Sequence, residues 1–299
     1  MPFGRLRIRY WCMTSKSRRV PAMMLPILGW FLFFLIIPLA IVITFSVMHK
    51  GNYGIIEYRF DGSNFARVLE PIYLKIVVRS LFLALFTTLS CLALAYPLAY
   101  LMARVGKNLK SLLLALVVIP FWTNFVIRIY ALKLVLGENG LINRLLTELH
   151  LIATPLQLTD NSIGLSIGMI YNYLPFMVLP LYVALDKIDY TLMDAAYDLG
   201  ANRTQTALKV LLPLSLPGVV TGSIFVFIPA FGEFVIPDLM GGSQHMYVGG
   251  LITETFLKSR DWPFGSALST MLVLLAMISF VIVLSRAKKE GANAGGAHV

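Results

Sequence analysis

Long apolar runs separated by short polar intervals make up almost the whole of this 299-residue chain. A helix needs about 20 apolar residues to cross a hydrocarbon core. Six runs reach that length, at about 23–48, 73–103, 110–130, 161–185, 214–237 and 263–286. They predict an all-α chain of six transmembrane helices. One polar interval near the middle, from Asp186 to Pro213, keeps helical period: Leu192, Ala195, Ala196 and Leu199 recur at i, i+3, i+4 and i+7 and share one face. Thr191 followed by Asp194 reads as a variant capping box, and Gly200 as a helix stop before a second run from about Arg203 to Leu212. A helix, a bend and a second helix are predicted between spans four and five. The interval 137–160 holds a shorter helical pattern around Leu141 to Leu151.

Composition agrees with the pattern: 58% of residues are hydrophobic and 13% charged, which is the profile of an integral membrane protein. The formal net charge of +10 would fit a nucleic-acid partner if it were spread over one face, but it is not. Residues 1–20 carry Arg5, Arg7, Arg9, Lys16, Arg18 and Arg19 without an acid; the interval 103–110 adds Arg104, Lys107 and Lys110; the end adds Arg286, Lys288 and Lys289 against Glu290. The alternate intervals 49–72, 131–160 and 233–262 sum to zero, minus one and minus two. By the positive-inside rule both termini and the interval 186–213 are predicted to be cytoplasmic. The first apolar run is too long for a signal-peptide core and has no obvious cleavage site, so it is read as an uncleaved span. Cys12 and Cys91 suggest neither a disulfide nor a metal site, and His49, His150, His245 and His298 are scattered as surface histidines.

Several spans carry polar or helix-breaking groups that a plain anchor would lack. Span three has Pro120, Trp122, Thr123 and Asn124 ahead of Arg128; span four has Tyr171, Asn172, Tyr173 and Pro175; span five has Pro229, Gly232 and Pro237 around Glu233. Such residues are tolerated where they face protein or a water-filled cavity. Glu233 falls in the outer third of span five if its helix begins near Gly218. Two readings stay open for it: a charge paired with a cation of a neighbouring subunit or wet at the outer surface, and a carboxylate lining a path for a cationic solute. Asp238 is one turn further out and reads equally as a solvated helix end. Trp122, Tyr171 and Tyr173 offer ring faces for an ammonium group, or simple packing. Trp262 fits an interfacial anchor. No catalytic or nucleotide-binding constellation is present, so the chain is not read as an enzyme, and any ATP hydrolysis belongs to another subunit.

The central interval resembles the EAA motif of binding-protein-dependent ABC importer permeases, E-A-A, three residues, G, nine residues, then I-x-L-P. Asp194, Ala195, Ala196, Gly200, Val210, Leu212 and Pro213 match its spacing, with Asp for Glu and Val for Ile. FWTNFVIRIYA at 121–131, YNYLPFMVLPLYVALDKID at 171–189 and PAFGEFVIPDLMGG at 229–242 are similar to permease subunits of spermidine/putrescine importers. That resemblance implies a type I importer (MetI-like) permease fold in a bacterial inner membrane. It divides the chain into a basic tail 1–22, a six-span domain 23–286 with the coupling loop 186–213, and a tail 287–299. It implies a second, related permease as partner, two cytoplasmic ATPase subunits binding ATP and magnesium, and a periplasmic polyamine-binding protein. Asp194, Ala195, Ala196, Leu199, Gly200, Ala201 and Pro213 are then the residues expected to meet the ATPase. No cofactor or metal is expected in this chain. An importer for another small solute is the nearest alternative. A stand-alone secondary transporter is disfavoured by the loop and by the absence of repeats. Whether Asp194 caps its own helix or touches the partner stays open.

Overall fold

The computed structural model describes residues 26–51, 54–242 and 245–295. The basic tail assigned to 1–22 and the last four residues lie outside the described residues. Helix α1 spans Pro26–Ser46 and contains a π-helical turn at Leu32–Ile36. A two-stranded antiparallel hairpin follows, β1 Met48–Lys50 and β2 Ile56–Phe60, then a short α2, Ser63–Val68. The long helices α3, Pro71–Arg104, α7, Ser162–Leu185, and α9, Arg203–Phe231, correspond to spans two, four and five. Between α3 and α7 lie α4, Lys107–Trp122, α5, Phe125–Leu136, and α6, Leu141–Glu148. The chain ends with α8, Thr191–Asp198, before α9, and α10, Val235–Met240, α11, Val248–Leu257, and α12, Trp262–Gly295, after it.

The core is the three-helix unit of α3, α7 and α9, while α12 packs along α1 at its side. Association of apolar helices in a membrane depends on close approach rather than on withdrawal from water. The sequence supplies that approach in α9 through GVVTG, where Gly218 and Gly222 are one small-xxx-small step apart. A β-carbon on Gly218 would stand 2.5 Å from that of Ala184, and one on Gly222 would stand 2.7 Å from the Met177 sulfur. Buried Ala84, Ala95 and Ala99 thin α3 in the same way, with Met169, Met177 and Leu181 filling the space between helices.

Three features depart from the predicted pattern. The third run is not one straight span: α4 ends in a 3₁₀ turn at Ile119–Trp122, and the next helical piece leaves at 102°. The fifth span ends at Phe231, short of the predicted residue 237, and α9 begins at Arg203 in the polar interval and runs unbroken into the membrane. A π-helical turn at Ala207–Leu211 precedes Pro213, whose ring would clash with the carbonyl of Lys209 in a regular helix; the wider turn removes that conflict. Finally, the interval after the first span holds the hairpin, and α12 continues as helix to Gly295, past the predicted end of the sixth span at 286.

Candidate functional site

The polar interval folds as an elbow. Helix α8 stops because Gly200 takes φ +84°, which glycine adopts without a β-carbon clash. Gly200 N–H donates to the Tyr197 carbonyl and Ala201 N–H to that of Ala196, satisfying the helix end. Asn202 then starts α9 with a reciprocal capping box: Gln205 N–H donates to Asn202 Oδ1 at 2.8 Å, and Asn202 N–H donates to Gln205 Oε1 at 3.0 Å. At the start of α8 the predicted Thr191–Asp194 capping box is not formed, because Thr191 already lies within the helix. Asp189 takes that part instead, accepting from Thr191 N–H at 3.0 Å, and this bond holds its carboxyl below the usual carboxylate range. The side chain of Asp194 has no hydrogen-bond partner among the described residues and is exposed, so it does not cap its own helix. Met193 is the residue of α8 that is buried; Leu192 and Ala195 are exposed, and Leu199 is 90% exposed.

Above the elbow, an apolar groove of about 870 Å³ opens between α7 and α9. Ile188 and Leu192 lie at its α8 end, and Val183, Thr221 and Phe225 along its walls, up to Phe176. The Phe176 ring is 4.9 Å from that of Phe121 and 6.1 Å from that of Tyr173.

Tyr173 leads to a carboxylate at the break between α9 and α10. Its hydroxyl donates to Glu233 Oε2 at 2.6 Å, while the N–H groups of Phe234 and Val235 donate to Glu233 Oε1 at 3.0 and 2.9 Å. Glu233 occupies the break between α9 and α10 and caps the first turn of α10. Tyr173 is the twelfth of the 24 residues of α7, so the carboxylate reaches the middle of that helix rather than its outer end. Three donors hold the charge in place, yet among the described residues no cation pairs with it. On the same stretch of α7, Asn172 accepts from Arg128 Nη2 at 2.8 Å, and Arg128 Nη1 donates to the Pro120 carbonyl at 3.0 Å. Arg128 thereby pins the break between α4 and α5, which Asn124 also caps by accepting from Val126 N–H at 2.9 Å. Lys133 of α5 joins Asp160 at 2.8 Å and the Leu239 carbonyl at 2.6 Å, tying α5 to the end of α10.

A family model described as binding-protein-dependent transport system inner membrane component matches residues 95–288, which takes in the elbow, the groove and both breaks. The chain belongs to this family. It is an inner-membrane permease, not an enzyme, and in such systems a separate ATPase hydrolyses ATP. The spermidine/putrescine transport system permease protein PotB of Salmonella typhimurium strain LT2 is 40% identical over 90% of this chain and 93% of its own length. PotB of Escherichia coli strain K12 is 38% identical over 87% and 94%, and PotB of Haemophilus influenzae is 40% identical over 85% and 90%. The permease also shares its fold with a chain of a bacterial ABC transporter involved in the import of alginate: TM-score 0.70 at 18% identity, covering 92% of this chain and 95% of that one.

Within this permease the predicted site residues separate into groups. Asp194, Ala195, Leu199 and Gly200 lie together on the exposed side of the elbow; Ala196 and Ala201 are half-buried beside them, and Pro213 is two residues beyond the π segment. Tyr173 and Glu233 are joined directly, but Tyr173 is only 4% exposed, so it contributes its hydroxyl rather than a ring face. Tyr171 is two residues away, about 200° around α7, and cannot share that side. Trp122 is 85% exposed at the α4–α5 break. Asp238 lies on α10 in a separate hollow with His245 and Glu254. Arg128 stood in the sequence as a charge within a span, but its partners at positions 120 and 172 left no local signal.

Proposed function

We propose that this permease is one half of a heterodimeric, ATP-driven importer that carries polyamines into the cell, with its termini and the elbow at 186–213 in the cytoplasm. The observation that carries the reading is the Glu233 carboxylate, held by Tyr173 with no cation partner among the described residues; together with the apolar groove from Phe176 to Leu192 on α8 it marks the proposed route. A polyamine is a flexible apolar chain bearing several ammonium groups. Its passage calls for an anionic point without a permanent counter-cation, and for apolar walls that bind the methylene segments weakly. Glu233 and the groove offer that combination, and the spermidine/putrescine names of the full-length relatives fit it.

Energy enters at the other end of the route. Leu192, Ala195 and Leu199 form the face that fits a groove of a cytoplasmic ATPase, with Asp194 free to pair there. ATP and magnesium bind the ATPase subunits and not this chain. Closure of the ATPase dimer shifts α8, which carries Leu192 at the mouth of the groove and is joined through Gly200 and Asn202 to α9. Such a shift alters the distance between α7 and α9 and biases the permease between outward- and inward-open states. A periplasmic polyamine-binding protein delivers the solute from the opposite side.

The test is ATP-driven uptake of labelled putrescine into vesicles holding the complete complex and its binding protein. Unlabelled putrescine or spermidine should compete, and unrelated solutes should not. Competition by an unrelated solute instead would redirect the assignment to another importer of the same family, and uptake without ATP would overturn the coupling scheme.

A further inference from the structure

Where α8 leaves the membrane helices, three spans meet in a cluster of cations and rings that the EAA-like spacing does not include. Arg104, in the last turn of α3, holds its guanidinium 4.8 Å from the centre of the Tyr190 ring and 5.9 Å from that of Tyr100. Lys110, in the first turn of α4, pairs with Asp186 at the end of α7, and its ammonium lies 5.7 Å from the Tyr182 ring. Tyr182 donates to the same Asp186 at 3.4 Å, and Tyr190 donates to the Leu185 carbonyl at 3.1 Å. Tyr190 immediately precedes α8, and Met193, one turn on, is buried in the same core as Leu185 and Met102. Tyr190, at the entry to α8, is thus held by the end of α3 as well as by α7, and the end of α4 is tied through Asp186 to the end of α7 that leads into it.

We infer that Arg104 and Lys110 are positioning residues that carry the movement of α8 into α3 and α4, so that all the core helices respond to the ATPase and not only α7 and α9. The inference rests on the coupling reading given above. A cation at a helix end or a lysine beside the membrane would serve topology and dipole alone without partners. Here both cations are aimed at the aromatic and acidic groups that bracket the entry to α8. Arginine at such a ring offers a planar face that lysine lacks, so the two are not interchangeable at position 104.

The test uses the whole complex in liposomes, with uptake and ATP hydrolysis measured on the same preparation. Lys110→Gln removes the pair with Asp186. Arg104→Lys keeps the charge that sets topology and loses the planar stack. Each is expected to lower solute moved per ATP by about tenfold, within the range of free energies that link distant sites, while the ATPase still copurifies and hydrolyses. The exchange of Lys110→Asp with Asp186→Lys should restore most of the ratio. Unchanged transport per ATP in both variants, or a fall that tracks loss of the bound ATPase, would overturn the inference in favour of a local structural role. Ala195→Arg run alongside separates the two levels. If it abolishes uptake while the Arg104 and Lys110 variants transport normally, the coupling reading stands and this inference fails; if it transports normally, the coupling reading itself falls.

Discussion

Helix α9 is interrupted at both ends, and the two interruptions are made of different materials. At the N-terminal end, Gly200 turns the chain with a positive φ, and every bond that closes the turn comes from residues 196–205. A β-carbon there would meet nothing within 4 Å. At the C-terminal end, Gly232 has φ −94°, within reach of any residue, and the break is held from a distance: Tyr173 is 60 residues from Glu233, and Lys133 is 106 from Leu239. The first is a self-contained elbow able to transmit force from outside. The second depends on contacts between helices, so a relative movement of α7 and α9 must either carry it along or open it. The importer proposed above has use for both: a stiff lever where the ATPase would push, and a releasable latch where a cationic solute would pass.

The largest effect is expected at the elbow. Gly200→Lys places a side chain in left-handed backbone, at about 1–2 kcal/mol, and adds a long cation beside the face proposed to meet the ATPase. Uptake should fall to background while the protein still inserts; membrane immunoblots and transport assays on the same cells read both. Normal uptake would mean that the turn is not the lever.

At the latch, Glu233→Gln separates charge from geometry. The amide oxygen can still accept from Phe234 and Val235, so the cap of α10 persists, but the negative charge is gone. A hydrogen bond to a charged group is worth about 1.5–3 kcal/mol, so a drop in polyamine uptake of roughly tenfold or more is expected, with ATP hydrolysis retained. Tyr173→Phe keeps the charge and both backbone donors and removes one tether; a loss of about threefold is expected, less than one full hydrogen bond of that kind. If Tyr173→Phe proved the more damaging of the two, the latch would owe its effect to packing of α7 against α10 rather than to an anionic point on the route.

The same contrast explains what the sequence made legible. The elbow is local, so its glycine stop, its apolar face and its motif spacing all lie within one short interval. Even there, the spacing points to a capping box at Thr191 and Asp194, whereas Asn202 and Gln205 form one, the same spacing 11 residues on. Six apolar runs gave the number of spans but not the bend in the third. Pro120 and Asn124 stood there as breakers, yet the residues from Phe125 to Leu136 are as apolar as a span, and length alone concealed the change of direction. The hairpin strand at Ile56–Phe60 alternates Ile56, Tyr58 and Phe60 with Glu57 and Arg59, a period-two signal too short to stand out beside a membrane span. The latch was least visible. Tyr173 and Glu233 were each singled out for their chemistry, but only the packing of α7 against α9 brings them together.

The smallest effect serves as the control on the comparison. Asn202→Ala removes one partner of the capping box, and such caps are worth about 1 kcal/mol. Because the turn at Gly200 closes through its own backbone bonds, and α9 is held in the membrane by Gly218 and Gly222 against α7, that loss should lower thermal stability slightly and leave uptake near normal. Thermal unfolding of the purified complex, set beside transport, measures the two separately. Should Asn202→Ala reduce uptake as far as Glu233→Gln does, the start of α9 would have to be bistable, and the division between a stiff lever and a releasable latch would be the wrong way to describe this helix.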